Sequence, residues 1–169
     1  MDDVPVVLAP EQAQRAGIYL VASRLPLYGV PVAVISQRDI CLGYNLLAER
    51  GTGPQRIAVK TWTYESSHNF VGYDNGDRFE WLAVVIVTKP RWEGWQSGRI
   101  FILPRHIADE RSITAPKRQK GRRHRPERFF LVPELVQSFP DEPGGLADYE
   151  DNFGLSEVPL RQAVTINGM

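Results

Sequence analysis

Lys117, Arg118, Lys120, Arg122, Arg123, Arg125 and Arg128 crowd one stretch of the chain, with Gly121 and Pro126 among them. Closely spaced cations on an extended segment can track a phosphate backbone, and each phosphate neutralised adds about 0.9 to the log–log salt slope of binding. The same run also suits an acidic protein surface, whether the chain's own, a partner's or a second copy's. A second cluster of chemical interest is Gly43-Tyr44-Asn45-Leu46-Leu47-Ala48-Glu49 followed by Ile57-Ala58-Val59-Lys60-Thr61, with Gly51-Thr52-Gly53-Pro54 between them. Strand side chains alternate between faces, so Ala58 and Lys60 share a face and Asn45 stands beside them on the neighbouring strand. Lys60 could equally be an exposed strand lysine.

Other reactive side chains are isolated. His68, His106 and His124 are scattered without the spacing of a zinc site, and His124 reads as one more polar residue of the basic run. Cys41, the single cysteine, lies between Ile40 and Leu42 and reads as a small core residue, with only Arg38 nearby to activate a thiol. There is no Gly-x-Ser-x-Gly elbow and no glycine-rich phosphate loop. Trp62, Trp81, Trp92 and Trp95 read as core and edge packing, although Trp92 and Trp95 lie near Arg91 and Arg99 and could offer a stacking or contact surface.

The elements that must position these residues follow from periodicity. Pro10 to Tyr28 has helical spacing at Ala13, Ala16, Tyr19, Leu20, Ala22, Ser23 and Leu27, with Pro26 distorting its last turn and Gly29 closing it. Strands are expected over 30–36, 40–49 and 57–64, the last two joined as a hairpin. Asp74-Asn75-Gly76-Asp77 marks a turn, and 79–88 is so continuously apolar that it must be a central strand covered on both faces. A turn over 90–98 leads to a returning strand over 99–103. Residues 107–128 lack apolar periodicity and read as a loop or mobile segment. A strand over 129–132, a helical turn over 133–136 and a short helix over 146–153 complete the reading. The order suggests a single α/β domain, a helix-flanked mixed sheet built largely as an antiparallel meander.

Composition sets the outer limits. The 169 residues suit one domain: an N-terminal extension over 1–9, a core over 10–136 that includes the basic loop, and an acidic segment over 137–169 packing on or extending it. The 20 basic and 20 acidic side chains cancel, but no Lys or Arg occurs from Phe129 through Leu160, where Glu134, Asp141, Glu142, Asp148, Glu150, Asp151 and Glu157 lie. The longest apolar run, Trp81 to Val87, is far short of the roughly 20 residues of a spanning helix. The start, Met1-Asp2-Asp3, has no basic region leading into an apolar stretch, so a cytoplasmic location is expected.

The two blocks around Asn45 and Lys60 resemble the PD-(D/E)XK nuclease superfamily, in particular small resolvase-like members with Gly-Tyr-Asp-Leu followed by Gln-Val-Lys-Thr. Tyr19-Leu20-Val21-Ala22-Ser23, Leu82-Ala83-Val84-Val85-Ile86, Arg99-Ile100-Phe101-Ile102-Leu103-Pro104 and Tyr149-Glu150-Asp151-Asn152-Phe153 extend the likeness, in order, over nearly the whole chain. The resemblance implies a restriction-endonuclease-like fold. In that family two carboxylates on adjacent strands hold a divalent metal, and a lysine two residues past the second orients or helps deprotonate the attacking water.

Here the family's metal-binding Asp matches Asn45, the second ligand matches Ala58, a supporting helix Glu matches Ile18, and only Lys60 is retained. The resemblance therefore implies a nuclease fold with a vestigial site at Lys60 and Asn45, no cofactor, and a role in binding DNA or RNA or in assembly. Were the site active with Mg²⁺ or Mn²⁺, its ligands would have to come from Asp39, Asn45 and Glu49, the last about 13 Å along the strand from Asn45 at ~3.3 Å per residue.

Overall fold

The computed structural model describes residues 9–35, 43–51, 53–63, 66, 68–87, 98–115, 126–132 and 146–157. Helix α1 (Pro10–Arg24) starts on a proline at its first position, and the Ala9 amide donates to the Gln12 side chain. A 3-10 turn (Leu25–Tyr28) carries Pro26, and Gly29, at φ 74°, reverses the chain in the left-handed region that glycine adopts without penalty.

Strands β1 (Val32–Val34), β2 (Leu46–Arg50), β3 (Gly53–Thr63), β5 (Trp81–Val87) and β6 (Arg99–Pro104) form a five-stranded sheet in the order β1-β2-β3-β5-β6. Strands β4 (Phe70–Tyr73), β8 (Arg128–Leu131) and β7 (Ile113–Thr114) form a separate three-stranded sheet in the order β4-β8-β7. The chain is thus a mixed α/β domain, with two differences from the sequence expectation. The strands form two sheets instead of one meander: β4 leaves the first sheet for the second, and that crossover gives the expected mixed sheet its parallel pair, β3 with β5. Residues 107–128 also carry structure: helix α2 (Arg105–Arg111), β7 and the first residue of β8. α2 is too short to show periodicity and buries only Ala108 fully, and Arg105 pairs with Asp109 one turn on.

Alternation along β5 explains the layering. Trp81, Ala83 and Val85, with Val59 beside them on β3, face Val21 and Leu25 in a cluster with α1. Leu82, Val84 and Ile86 face Tyr73 and Phe130 of the second sheet. Burial on both faces is why this strand reads as an unbroken apolar run. The outer edge of β6 is covered by the segment 146–157, where Glu150 bridges to Phe101, the Asp151 amide donates to Ile100 O and Asn152 donates to Ile102 O. That segment opens as a 3-10 turn over Leu146–Tyr149, not the longer helix expected over 146–153. The expected turn over 133–136 and the indoles of Trp92 and Trp95 lie outside the described residues, as do Cys41 and His124. No helix among the described residues is long and apolar enough to cross a membrane.

Candidate functional site

The β2–β3 hairpin ladder starts at Arg50 opposite Gly53 and ends at Leu46 opposite Ile57. One further bond, from the Asn45 amide to Ile57 O at 2.9 Å, falls one residue out of that register, so Asn45 as well as Leu46 stands against Ile57 and the regular ladder ends there in a bulge. β3 runs on to Thr63 with β5 along its other edge, so the peptide groups of Val59 and Thr61 on the β2 side have no strand to pair with. Unpaired buried peptide groups are costly, and here side-chain amides replace the missing strand. The Val59 amide donates to Asn45 Oδ1 at 2.7 Å. Gln14, from α1, donates to Val59 O at 2.6 Å and accepts from the Thr61 amide at 3.0 Å. α1 can lie this close because Gly17 faces Thr61: a Cβ at that position would sit 2.0 Å from Thr61 Oγ1. The hydroxyl beneath it is buried and has no hydrogen-bond partner among the described residues.

Lys60 sits between these two anchored peptides. Its side chain is 31% exposed, and Nζ lies 3.5 Å from Asp77 Oδ2. Asp77 belongs to the turn after β4, where its amide donates to Asp74 O at 3.0 Å and its carboxylate accepts from the Asp74 amide at 3.2 Å. Arg105 donates to Asp77 O at 2.7 Å. Gly43 lets the start of the β2 segment pass over this turn, since a Cβ there would lie 2.6 Å from Asp77 Cα, and its φ of 79° also favours glycine. Lys60 lines two clefts. One, of about 920 Å³, includes Glu11, Gln14, Tyr19, Tyr44 and Asn45. The other, of about 330 Å³, includes Gln14, His68, Tyr73, Asp74 and Asp77.

Asn45 and Lys60 therefore come together at one place, while the other family positions supply no ligand. Ala58 is fully buried in the apolar cluster between the sheets, against which Tyr44 also packs. Ile18 presents a hydrocarbon side chain to the larger cleft. Glu49 is exposed, opposite Pro54 near the hairpin turn, and is not brought to Lys60; Asp39 lies outside the described residues. Hard divalent cations need several oxygen ligands, preferably charged. Asn45 Oδ1 is committed to a backbone amide, and the carboxylate beside Lys60 is paired with its ammonium. Among the described residues no group of three or more His, Cys, Asp or Glu side chains could hold a metal. At the positions that the resemblance assigns to it, the described residues do not fit that family's metal.

Asp77, Gln14 and Glu11 were not legible as parts of this site. Asp77 is visible in sequence as a turn residue, but its approach to Lys60 depends on the β4 crossover. Gln14 and Glu11 belong to the first turns of α1, and only the docking of that helix on β3 brings them to the cleft.

The basic residues divide sharply. Lys117 through Arg125 lie outside the described residues. Arg128 is described, and its side chain is engaged within the fold. Its guanidinium donates to Asn75 Oδ1 at 2.8 Å and to Asp109 O at 2.6 Å, tying β8 to the turn and to α2. The nearby Arg105 lies over the Phe79 ring at 4.3 Å and holds the Asp109 carboxylate, which accepts from the Tyr73 hydroxyl at 2.9 Å. Burial, aided by that carboxylate, pushes the Tyr73 phenol up to about 12. Across the sheet, Arg56 and Glu80 form a bidentate pair joining β3 to the segment leading into β5. Burial alone would push the Glu80 carboxyl up, but hydrogen bonds from the Arg56 side chain and amide, with the guanidinium charge, bring it below its ordinary value.

The remaining sequence candidates have ordinary places. His68 packs its ring 4.5 Å from Phe70, and its carbonyl accepts from the Trp62 indole. His106 is exposed on α2. Trp62 and Trp81 are buried on opposite faces of the main sheet.

No protein-family model and no curated protein sequence matches the chain. Among solved structures it is distantly similar to a bacterial homing endonuclease, at a TM-score of 0.48 and 14% identity over 94% of this chain and 98% of that one.

Proposed function

We propose that this chain is a PD-(D/E)XK-like domain that contacts nucleic acid, alone or within an assembly, and does not cleave it. The observation that carries the reading is the Asn45 side chain. It stands where the family resemblance puts a metal ligand, and its oxygen is used to complete the edge of β3. With Ala58 sealed in the core, two ligand positions have become parts of the scaffold, while Lys60 keeps its place between them. On this reading the contact with nucleic acid falls to Lys117, Arg118, Lys120, Arg122, Arg123 and Arg125. Arg128 serves the scaffold. The core spans 10–136, the acidic 137–169 segment packs on or extends it, and the setting is the cytoplasm.

The test uses single-stranded, duplex and branched DNA, and RNA, with Mg²⁺ or Mn²⁺ present. Binding that weakens with salt, without products, is expected. Replacing Arg122, Arg123 and Arg125 by Ala should lower both affinity and salt slope, the slope by about 0.9 for each phosphate no longer neutralised. Metal-dependent products that vanish in Lys60→Ala overturn the non-cleaving part of the reading. Binding unchanged in the triple variant overturns the role given to the basic segment.

A further inference from the structure

The two outer edges of the five-stranded sheet are treated differently. The edge of β6 is covered by the segment 146–157. The edge of β1 is bare among the described residues. In its antiparallel ladder with β2, the Ile35 amide donates to Asn45 O at 2.9 Å and the Glu49 amide to Pro31 O at 2.8 Å, so Pro31, Ala33 and Ile35 point their peptide groups inward. Val32 and Val34 therefore point theirs outward. Pro31, whose missing N–H would have faced β2, does nothing to block this edge.

Sheet proteins usually guard an open edge with charge, proline or a bulge. Val30 to Ile35 carries no charged side chain. Val34 is 44% exposed, and beside it in the larger cleft stand Ile18 and Tyr19, the latter 57% exposed.

We propose that a second copy of this chain adds its own β1 antiparallel to this edge, about a two-fold axis through Ala33. That axis pairs Val32 of one copy with Val34 of the other. These are the two residues with outward peptide groups, so both copies' free donors and acceptors are satisfied in one register. Self-pairing of identical strands ordinarily suffers from like charges meeting, and this segment has none. The result is a continuous sheet across both copies. Three paired residues bury less than the roughly 1,000 Å² that a specific interface needs. Val34 lies on the α1 side of the sheet, so the two-fold also brings the Ile18, Tyr19 and Val34 shelves of both copies onto one face, where they add apolar contact to the paired strands.

Sedimentation velocity and light scattering of the full chain over a concentration series test the proposal. The parent is expected to form a dimer. Val34→Pro removes an outward N–H and no bond to β2, so it should stay folded and weaken dimerisation about tenfold or more. Val34→Lys, which puts a charge against its own symmetry mate's strand, should do the same and guards against a folding defect in the proline variant. Ala33→Pro removes an inward N–H and should instead lower the melting temperature. A dimer unaffected by both Val34 substitutions overturns the proposal. So does a parent that is monomeric throughout the series. A monomer whose Val32 and Val34 amides are protected from hydrogen exchange has the edge occupied by another part of the same chain, which also overturns it.

Discussion

Replacing Asn45 by Ala removes the oxygen that accepts from the Val59 amide, 2.7 Å away, and leaves that donor beside a residue with 0% exposure. A buried donor stripped of its partner costs about 1–3 kcal/mol, and with Gln14 still holding the carbonyl of the same residue the middle of that range applies, about 2 kcal/mol. For a chain of this size about 2 kcal/mol lowers the melting temperature by roughly 4–8 °C. Asn45→Asp keeps an acceptor at the same place, and its carboxylate makes a charge-assisted bond to the amide, so its stability should lie within about 0.5 kcal/mol of the parent or above it. Urea unfolding at constant m separates the two variants, and hydrogen exchange at the Val59 amide should speed up in Asn45→Ala alone. An Ala variant within about 0.5 kcal/mol of the parent, with unchanged exchange at Val59, refutes the claim that Asn45 is a strand-edge support.

Other consequences are as direct. Gly17→Ala should destabilise by about 1–3 kcal/mol in thermal melts, because its Cβ meets Thr61 Oγ1 at 2.0 Å and this outweighs the roughly 1 kcal/mol gain in helix propensity. Thr61→Val replaces an unpartnered buried hydroxyl with a methyl and should be neutral or stabilising by about 1 kcal/mol; a clear loss would reveal a hydrogen bond the geometry does not provide. The Tyr73 phenol, raised from 10.0 to about 12 in the folded state, favours folding fully below pH 10 and progressively less as pH rises through 12, so alkaline destabilisation should be shallower in Tyr73→Phe. Glu80, held below 4.5, contributes stability above its unfolded value that is lost as pH falls through the folded one, and Glu80→Gln should flatten the acid limb of the stability profile.

Local signals in the sequence carried much of this fold. Pro26 and Gly29 end α1 as their backbone chemistry requires, and the seven apolar residues from Trp81 mark the strand that two layers cover. Strand parity put Ala58 and Lys60 on one face, and the hairpin brought Asn45 to the edge of β3 at Val59. What escaped sequence reading depends on contacts between distant segments. Nothing local distinguishes an amide that ligates from one that caps a strand, so the use of Asn45 and Gln14 appears only when β2 stops short of β3 and α1 docks over the gap. Asp77 reaches Lys60 through a crossover that an antiparallel meander would not make. Arg128 reads as one of a basic run, although its partners, Asn75 and Asp109, lie on a turn and a helix far from it in sequence.

The proposed reading requires that the site around Lys60 hold no divalent metal, since Asn45 Oδ1 is held by the Val59 amide and the Asp77 carboxylate by the Lys60 ammonium. Titration of the parent with Mn²⁺, read as free ion by electron paramagnetic resonance and in parallel as melting temperature, tests this directly. Binding to the native state alone raises the melting temperature with metal concentration. The expected result is that Mn²⁺ stays free and that the melting temperature does not move. Saturable uptake with a rising melting temperature, both lost in Asn45→Ala, would contradict the claim and return Asn45 to the role of a ligand.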